Sequence, residues 1–343
     1  MLAAPSLAAL VRAWDGRPFR SSYSVTHSLA GVGLRVEADD GALLERLAST
    51  LGTPDSAAPA MLTARVRTFE ADGWGHVRLS SARSWDAADL LLGLDSPAFP
   101  FERVTADPDW LCLGFRGEIE PLFAFHGADC VFRLDDGPRW RTAVALFLLH
   151  RLLRLRPDAL FFHAASVAVH GQGALLIGPK GSGKSTTALA LCARGHSLLG
   201  DETACYLRQT RVILPMRRPV GIKPGPRSRR VTTALQRVFP SDDGVIRLDV
   251  SALFPQAPPP APAALHSILF LRGFERVPRL EAIEAGREEL SALQPLACSL
   301  VEAPPARRVF EMVQLFDGLR VFHLYPGDPD ETAAVLEPAL IRA

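Results

Sequence analysis

The chain is 343 residues long, with a formal net charge of +1 at pH 7 and a hydrophobic content of 48%. This length allows two domains, and the nearly balanced charge gives no bulk attraction to nucleic acid or to a membrane surface, so neither is expected as a partner. The five cysteines are scattered and lack the spacing of a metal site, which is typical of packing residues in a reducing compartment. The first residues lack the basic and apolar regions of a signal peptide, so we predict a cytoplasmic protein.

Residues 1–138 are predicted to form a smaller, mixed α/β domain. Strand-like alternation at 33–37 is followed by a helix with leucines on one side at 41–51, and the pattern over 64–80 favours a hairpin. Further elements are expected at 89–94 (a short helix) and at 111–115, 120–125 and 130–134 (strands). No catalytic constellation is evident in this stretch of sequence, so we interpret it as a scaffold or recognition domain.

Residues 139–343 are predicted to form the second domain, after a boundary at the turn 135–138. A helix over 139–155 precedes an apolar strand over 160–169, which a His-Gly turn at 170–173 reverses into a second strand at 174–177. The later elements expected are helices at 232–239, 281–293, 306–315 and 331–341, and strands at 196–200, 266–271 and 319–324.

The strand at 174–177 runs into Gly178–Ser185, which fits the pattern G-x-x-x-x-G-K-[ST] and is called the glycine loop below. Glycines let the backbone approach phosphate oxygens, and the N-terminus of the helix predicted over 185–194 offers unpaired N–H groups. Lys184 is expected to reach the terminal phosphates of a nucleotide, and the Ser185 hydroxyl to take a place on Mg²⁺. The predicted nucleotide-binding residues are Gly178, Pro179, Lys180, Gly181, Ser182, Gly183, Lys184, Ser185 and Thr186.

Asp201 and Glu202 follow the next short apolar strand and are called the acid pair below. Acidic residues at the end of a strand beside a phosphate-binding loop can hold Mg²⁺ or accept a proton. The alternative is that the two residues lie in a solvated turn, and this alternative carries more weight for Glu202 than for Asp201.

A basic segment at 217–230 carries six basic residues in fourteen, and its prolines and glycines predict a loop. One interpretation is that it neutralises phosphate charge and an acidic substrate, because arginine can bind two oxygens at once. In that case Arg218 and Lys223 are expected to face inward. The other interpretation is a solvated basic loop.

Residues 161–223 resemble the catalytic core of the HPr kinase/phosphorylase family, in particular its HPr-kinase-related branch. In that family a strand opens with His-Gly or His-Ala, and a phosphate-binding loop, a helix, Arg-Gly-His and a strand ending in Asp-Asp follow in order. The matching residues here are His163-Ala164, Gly178–Ser185, Arg194-Gly195-His196 and Asp201-Glu202, and Met216–Ile222 partly echoes a later Glu-Ile-Arg-Gly-Leu-Gly-Ile signature. The resemblance does not extend to residues 1–138.

The resemblance implies an α/β fold, a P-loop kinase domain of the HPr kinase/PEP carboxykinase type with a mixed sheet. It also implies Mg²⁺-ATP-dependent transfer of the γ-phosphoryl group to a serine hydroxyl of a protein or peptide. Asp201 would be the catalytic base, Glu202 would stand at the second metal-site carboxylate, and His163 would line the catalytic pocket. Without the resemblance, His163 beside two aromatic residues would be interpreted as a packed core histidine. Family members often assemble into rings, so a homo-oligomer is also implied.

Met216 departs from the family, because it replaces the signature Glu and removes a carboxylate from the metal site. Phosphorylase activity is therefore not expected, and the unusual N-terminal domain favours an acceptor other than HPr, such as a ribosomally made peptide precursor. Three functions remain open. They are a peptide or protein serine kinase, a kinase acting on a small molecule such as free serine, and a nucleotide-binding regulatory or ATPase module.

Overall fold

The computed structural model describes residues 19, 21–52, 54–55, 59–69, 73–80, 101–106, 110–115, 117, 122–134, 139–216, 218–222, 246–297 and 304–341. The chain divides into two compact units, Met1–Leu155 and Arg156–Ala343. The turn at 135–138 lies outside the described residues, and the helix that follows it groups with the first unit rather than the second. The helices predicted at 89–94 and 232–239 also lie outside the described residues.

The first unit contains one sheet with the strand order β1-β2-β3-β4-β8-β7-β6-β5 among its described residues. Its elements are β1 (Tyr23–Leu29), β2 (Val32–Ala38), α1 (Gly41–Leu51), β3 (Ala60–Phe69), β4 (Trp74–Ser80), β5 (Phe101–Ala106), β6 (Leu111–Phe115), β7 (Phe123–His126), β8 (Asp129–Arg133) and α2 (Arg139–Arg154). Strands β2 and β3 are parallel and are joined through α1, whose Leu43, Leu47 and Leu51 are buried on one helical face. The predicted hairpin is β3 and β4, which pair antiparallel.

Helix α2 packs within the first unit through an apolar face. The Phe147 ring stacks on Phe125 of β7 with ring centroids 5.3 Å apart, and Leu148 and Leu152 are fully buried. These contacts explain why the helix belongs with the sheet that precedes it in the chain.

The second unit is built on a mixed sheet, as predicted. Its elements are β9 (Ala159–Phe162), β10 (Ala165–Val169), β11 (Gln172–Ile177), α3 (Lys184–Ala193), β12 (Ser197–Gly200), β13 (Ala204–Leu207), β14 (Val212–Leu214), β15 (Val220–Ile222), β16 (Ile246–Leu248), α4 (Val250–Leu253), β17 (Ala263–Leu271), β18 (Arg279–Ile283), α5 (Arg287–Leu293), α6 (Pro305–Phe316), β19 (Arg320–Tyr325) and α7 (Pro329–Ile341). The central strand β17 is parallel to β11 and β19 and antiparallel to β14, and β10 pairs antiparallel with β11 as the predicted hairpin.

The alternation of β11 distributes its side chains between two apolar cores, one on each face of the sheet. Leu175 and Ile177 join a core that includes Met312 and Leu315 of α6. Ala174 and Leu176 join the other core, with residues of α3 and α7. Because helices cover both faces of β11, the sequence of the strand is a continuous apolar run.

The strand predicted over 160–169 is two strands with different partners. Strand β9 pairs with β13, whereas β10 pairs with β11 and β12. The break lies at His163-Ala164, where the His163 N–H leaves the sheet and donates to the Leu296 carbonyl at 2.8 Å. Both halves are apolar and buried, so the local pattern contains no sign of the break.

The helix predicted over 281–293 is wrong in its first part. Residues Arg279–Ile283 form β18, which pairs antiparallel with β19, and α5 begins only at Arg287. Pairing along the edge of the sheet overrides local helix propensity here. The Glu289 carboxylate accepts from the Gly286 N–H at 2.9 Å, which fixes the start of α5 after the strand.

Within the described ranges, no helix has both the length and the apolarity that crossing a bilayer requires.

His150, on α2, is buried, and we expect it to make the stability of the first unit depend on pH. Burial, with a smaller effect of the Arg151 and Arg154 charges, lowers the pKa of His150 from 6.5 to about 4. Below pH 6.5 a proton binds preferentially to the unfolded chain, so the free energy of unfolding should decrease by about 3 kcal/mol as the pH falls to 4. In the His150→Leu variant this part of the pH dependence should disappear.

Urea unfolding followed by tryptophan fluorescence measures this effect, because all the tryptophans (14, 74, 85, 110 and 140) lie in the first unit. An unchanged pH slope in His150→Leu would contradict the assignment.

Candidate active site

The glycine loop lies at the edge of the sheet where three parallel strands end. It follows β11, while Arg272 follows β17 and Pro326 follows β19. Residues that follow β17 and β19 lie against the loop, since a Cβ on Gly183 would lie 3.3 Å from the Phe274 ring and 3.9 Å from Pro326. Ligands of α/β sheets bind at the carboxyl ends of the strands, so this edge is the expected place for a nucleotide.

Two positions in the loop require the backbone freedom of glycine. Gly181 and Gly183 have φ angles of 83° and 100°, which side-chain-bearing residues rarely adopt. The Ser182 N–H donates to the Pro179 carbonyl at 3.2 Å, and the Thr187 N–H donates to the Gly183 carbonyl at 2.8 Å as α3 begins. The turn therefore leads directly into the first turn of α3.

The loop also contains a buried hydroxyl. The Ser182 Oγ is buried without a hydrogen bond to any described residue, and a Cβ on Gly178 would lie only 2.6 Å from it. Leaving a buried polar atom unpaired costs about 1–3 kcal/mol, so an unpaired hydroxyl in a binding loop fits a role toward a ligand. A phosphate oxygen would satisfy it, which agrees with the predicted ligand.

Lys184 is held against the loop. Its Nζ donates to the carbonyl oxygens of Gly178 at 2.7 Å and Pro179 at 3.1 Å, and the residue is only 8% exposed. Lys180 and Thr186, the other polar residues predicted to bind nucleotide, are exposed. Of the two lysines in the loop, only Lys184 is buried, and its ammonium lies against the first two residues of the loop.

The Ser185 hydroxyl contacts the Asp201 carboxylate. Its Oγ donates to Oδ1 at 2.8 Å and to Oδ2 at 3.0 Å, joining the first turn of α3 to the end of β12. Asp201 is 2% exposed, and this burial raises its pKa, as does the charge of Glu202, while the hydrogen bond from Ser185 opposes them. A carboxylate and a hydroxyl at this distance form a donor set for Mg²⁺, and a raised pKa makes the carboxylate a better proton acceptor.

Glu202 and His163 adjoin this contact. Glu202 is exposed and has a left-handed φ of 58°, and its backbone carbonyl lies 3.0 Å from the His163 Nδ1. His163 itself is exposed, because the break between β9 and β10 turns it out of the sheet. The structure therefore places His163 next to the acid pair.

Arg218 lies within electrostatic range of the acid pair. Burial lowers its pKa, while the carboxylates of Glu202 and Asp201 oppose that effect and Arg247 adds to it. This arginine of the basic segment thus lies close to the acid pair. Lys223, the second predicted substrate residue, lies outside the described residues.

Met216 and Gly200 shape the wall behind the acid pair. Met216 is fully buried, and its N–H donates to the Leu199 carbonyl at 2.7 Å. A Cβ on Gly200 would lie 2.4 Å from the Thr203 carbonyl oxygen and 3.4 Å from the Met216 Cβ. An apolar side chain thus lines the place where the resembling family has a carboxylate.

Phe274 is a neighbour of the loop that sequence reasoning missed. It is 37% exposed and its ring lies against Gly183. No motif marks this residue, and its only signal is its position three residues after β17 ends beside the loop.

Comparison with known proteins relates part of the chain to one group of enzymes. No protein-family model matches the chain. HPr kinase/phosphorylase of Caldicellulosiruptor bescii is 41% identical over 97 residues, covering 26% of this chain and 30% of that protein. The Treponema pallidum enzyme of the same name is 30% identical over 108 residues (26% and 34% of the two chains), and that of Chlorobium phaeovibrioides is 46% identical over 48 residues (14% of each).

The chain spans about a third of the length of the first two of these relatives. Among solved structures, the Hpr(Ser) kinase/phosphatase of Coxiella burnetii aligns over 52% of this chain and 91% of its own, with 17% identity and a TM-score of 0.28. The sequence matches confirm the resemblance to HPr kinase/phosphorylases over part of the chain.

Gly200→Ala tests the packing behind the acid pair. Its Cβ would clash with a backbone oxygen that has no rotamer to relieve the contact, so the second unit should lose about 1–3 kcal/mol of stability. Gly273→Ala is the matched control, because its Cβ would meet open space. Thermal unfolding by circular dichroism of both variants measures the difference, and equal melting temperatures would show that the Gly200 backbone is not constrained.

Proposed function

We propose that the chain is a Mg²⁺-ATP-dependent kinase that transfers the γ-phosphoryl group to a serine hydroxyl of a peptide or protein. The observation that carries the proposal is the contact between Ser185, in the first turn after the glycine loop, and the buried Asp201. The names of the matched relatives support a kinase, and serine as the acceptor follows from the resemblance of residues 161–223 to that family.

The glycine loop would hold the phosphates of the nucleotide. Its amides, the unpaired Ser182 hydroxyl and the Lys184 ammonium supply donors and positive charge, and Arg218 adds a guanidinium near the acid pair. Phosphoryl transfer depends mainly on positioning and on neutralising charge, which is what these groups provide. Mg²⁺, held by Ser185, Asp201 and Glu202, would neutralise the phosphate oxygens further.

Asp201 would orient the acceptor hydroxyl and take its proton on a carboxylate oxygen. Burial raises the pKa of this carboxyl, which strengthens it as a base. The Ser185 hydroxyl donates a hydrogen bond to one of its oxygens. His163 lies beside Glu202 and would bound the pocket on that side.

A peptide or protein acceptor other than HPr is part of the proposal, on the basis of Met216 and the first unit. The buried Met216 side chain leaves no carboxylate at the signature position, so the reverse, phosphorolytic reaction is not proposed. A ribosomally made peptide precursor is the acceptor class we favour.

Lys184→Ala should weaken binding of ATP about 10- to 100-fold, because it removes a buried charged donor at the loop. Equilibrium dialysis with labelled ATP and Mg²⁺ measures the affinity. His266→Ala is a suitable control, since this histidine is exposed on β17 and has no role in the proposal. If Lys184→Ala bound ATP with wild-type affinity, the Lys184 ammonium would not be part of the nucleotide site.

Asp201→Asn should reduce phosphoryl transfer by at least about 100-fold while leaving nucleotide binding measurable. The assay incubates the protein with γ-labelled ATP, Mg²⁺ and a lysate of its source organism and separates peptides from metabolites. Label on a peptide, absent with Lys184→Ala, supports the proposal. Label on a metabolite would identify a small-molecule kinase, label only in free phosphate would identify an ATPase module, and normal turnover by Asp201→Asn would disprove the base assignment.

A further inference from the structure

Three metal-binding side chains converge away from the glycine loop. His170 lies in the turn between β10 and β11, His196 lies just before β12, and Glu337 lies on α7. Each offers one ligand atom, and these atoms all lie within 4.8 Å of one another. Three separate elements of the second unit thus bring two imidazoles and a carboxylate to one point.

The distances approach those of a tetrahedral metal site. The Glu337 Oε1 lies 3.2 Å from the His196 Nε2 and 3.7 Å from the His170 Nε2, and the two imidazole rings meet edge to face. Ligands bound to zinc at 2.0–2.1 Å in a tetrahedron are about 3.3–3.4 Å apart. The His170 side chain is 54% exposed, so a small rotation of this ring can bring its nitrogen to the required separation.

Arg194 orients the carboxylate for this role. Its Nε donates to the Glu337 Oε2 at 2.9 Å, so that Oε1 is the oxygen presented to both histidines. Partners that hold a ligand in this way are typical of metal sites, where they fix the direction of the ligand atom.

A cleft of about 370 Å³ adjoins the cluster. Its lining includes His170 and His196 together with Pro258, Pro259 and Pro262 of the proline-rich segment that precedes β17. An ion bound by three protein ligands would therefore have its fourth position facing an open space large enough for water or a small ligand.

The ion pair between Arg194 and Glu337 accounts for the positions of the Glu337 and His196 side chains. It does not account for the position of His170. The left-handed φ of His170, 49°, belongs to the two-residue turn between β10 and β11 and gives this histidine no partner. Its nitrogen lies too far from Glu337 for a good hydrogen bond but at a distance that an intervening ion would bridge.

We propose that His170, His196 and Glu337 bind a divalent transition-metal ion, most naturally zinc, with the fourth coordination position open to the cleft. Imidazole nitrogens select zinc and its neighbours over Mg²⁺, which distinguishes this site from the oxygen ligands of Ser185 and Asp201. The six residues of β11 separate the turn from the glycine loop, a distance of about 20 Å. Zinc at this end of the sheet ties the β10–β11 turn, the end of α3 and α7 together.

Isothermal titration of the metal-free protein with zinc tests the proposal. One ion should bind per chain, and His170→Asn should weaken binding at least tenfold, because asparagine tolerates the left-handed backbone but lacks the imidazole. His170→Asp should restore part of the affinity by supplying a carboxylate. His266→Ala, at an exposed histidine outside the cluster, should bind zinc like the wild type.

Cobalt substitution identifies the ligands. Bound Co²⁺ should show tetrahedral visible absorption without a thiolate charge-transfer band, since the cysteines at 112, 130, 192 and 205 are buried elsewhere. Zinc at 100 times its dissociation constant should raise the melting temperature of the second unit by about 5–10 °C, and Glu337→Gln should lose this shift.

The proposal is overturned if the wild type binds no zinc, if His170→Asn and the wild type bind it equally, or if cobalt shows a thiolate band. None of these readouts involves nucleotide, so their outcome is independent of the kinase proposal.

Discussion

The hydrogen bond between the Ser185 hydroxyl and the Asp201 carboxylate is the contact on which the candidate site depends. It joins the residue after Lys184 to the end of β12, and it buries an acidic group beside a basic loop. The position of β12 is set by its pairing with β10, and β10 in turn pairs with β11, which carries the glycine loop. Because these three strands pair in one sheet, the positions of the loop and the acid pair relative to each other are fixed, although the two are not adjacent in the chain.

The two ends of β11 carry different chemistry. At its carboxyl end, oxygen and ammonium groups surround helix amides, which suits phosphates and a hard cation. At its amino end, two imidazoles meet a carboxylate, which suits a softer ion. Apolar cores cover both faces of the strand between them, so each end is insulated from the other by close-packed side chains.

The glycine loop, its helix and the acid pair could be predicted from sequence because each depends on local chemistry. Glycines at positions with left-handed φ angles and carboxylates at the end of an apolar strand leave signals within a few residues. Apart from the family motif at His163-Ala164, the apolar pattern gives no sign of the break at His163, since it involves the carbonyl of Leu296, far along the chain. The strand β18 was missed for a similar reason, because its partner β19 lies about forty residues later and decides its conformation. Phe274 and the convergence of His170 with Glu337 depend on tertiary packing that no local pattern records.

Glu202 holds its carboxylate on a backbone with φ of 58°, a conformation that costs an ordinary residue roughly 1–2 kcal/mol. Glycine or asparagine would relieve this cost, so selection for folding alone should replace the residue. In a library of variants at position 202, sorting for thermal resistance should therefore enrich glycine and asparagine, whereas sorting for activity should enrich glutamate. If Glu202 serves the proposed reaction, this position sets the stability of the fold against activity, and an exchange to glycine or asparagine should stabilise a protein that no longer needs that reaction.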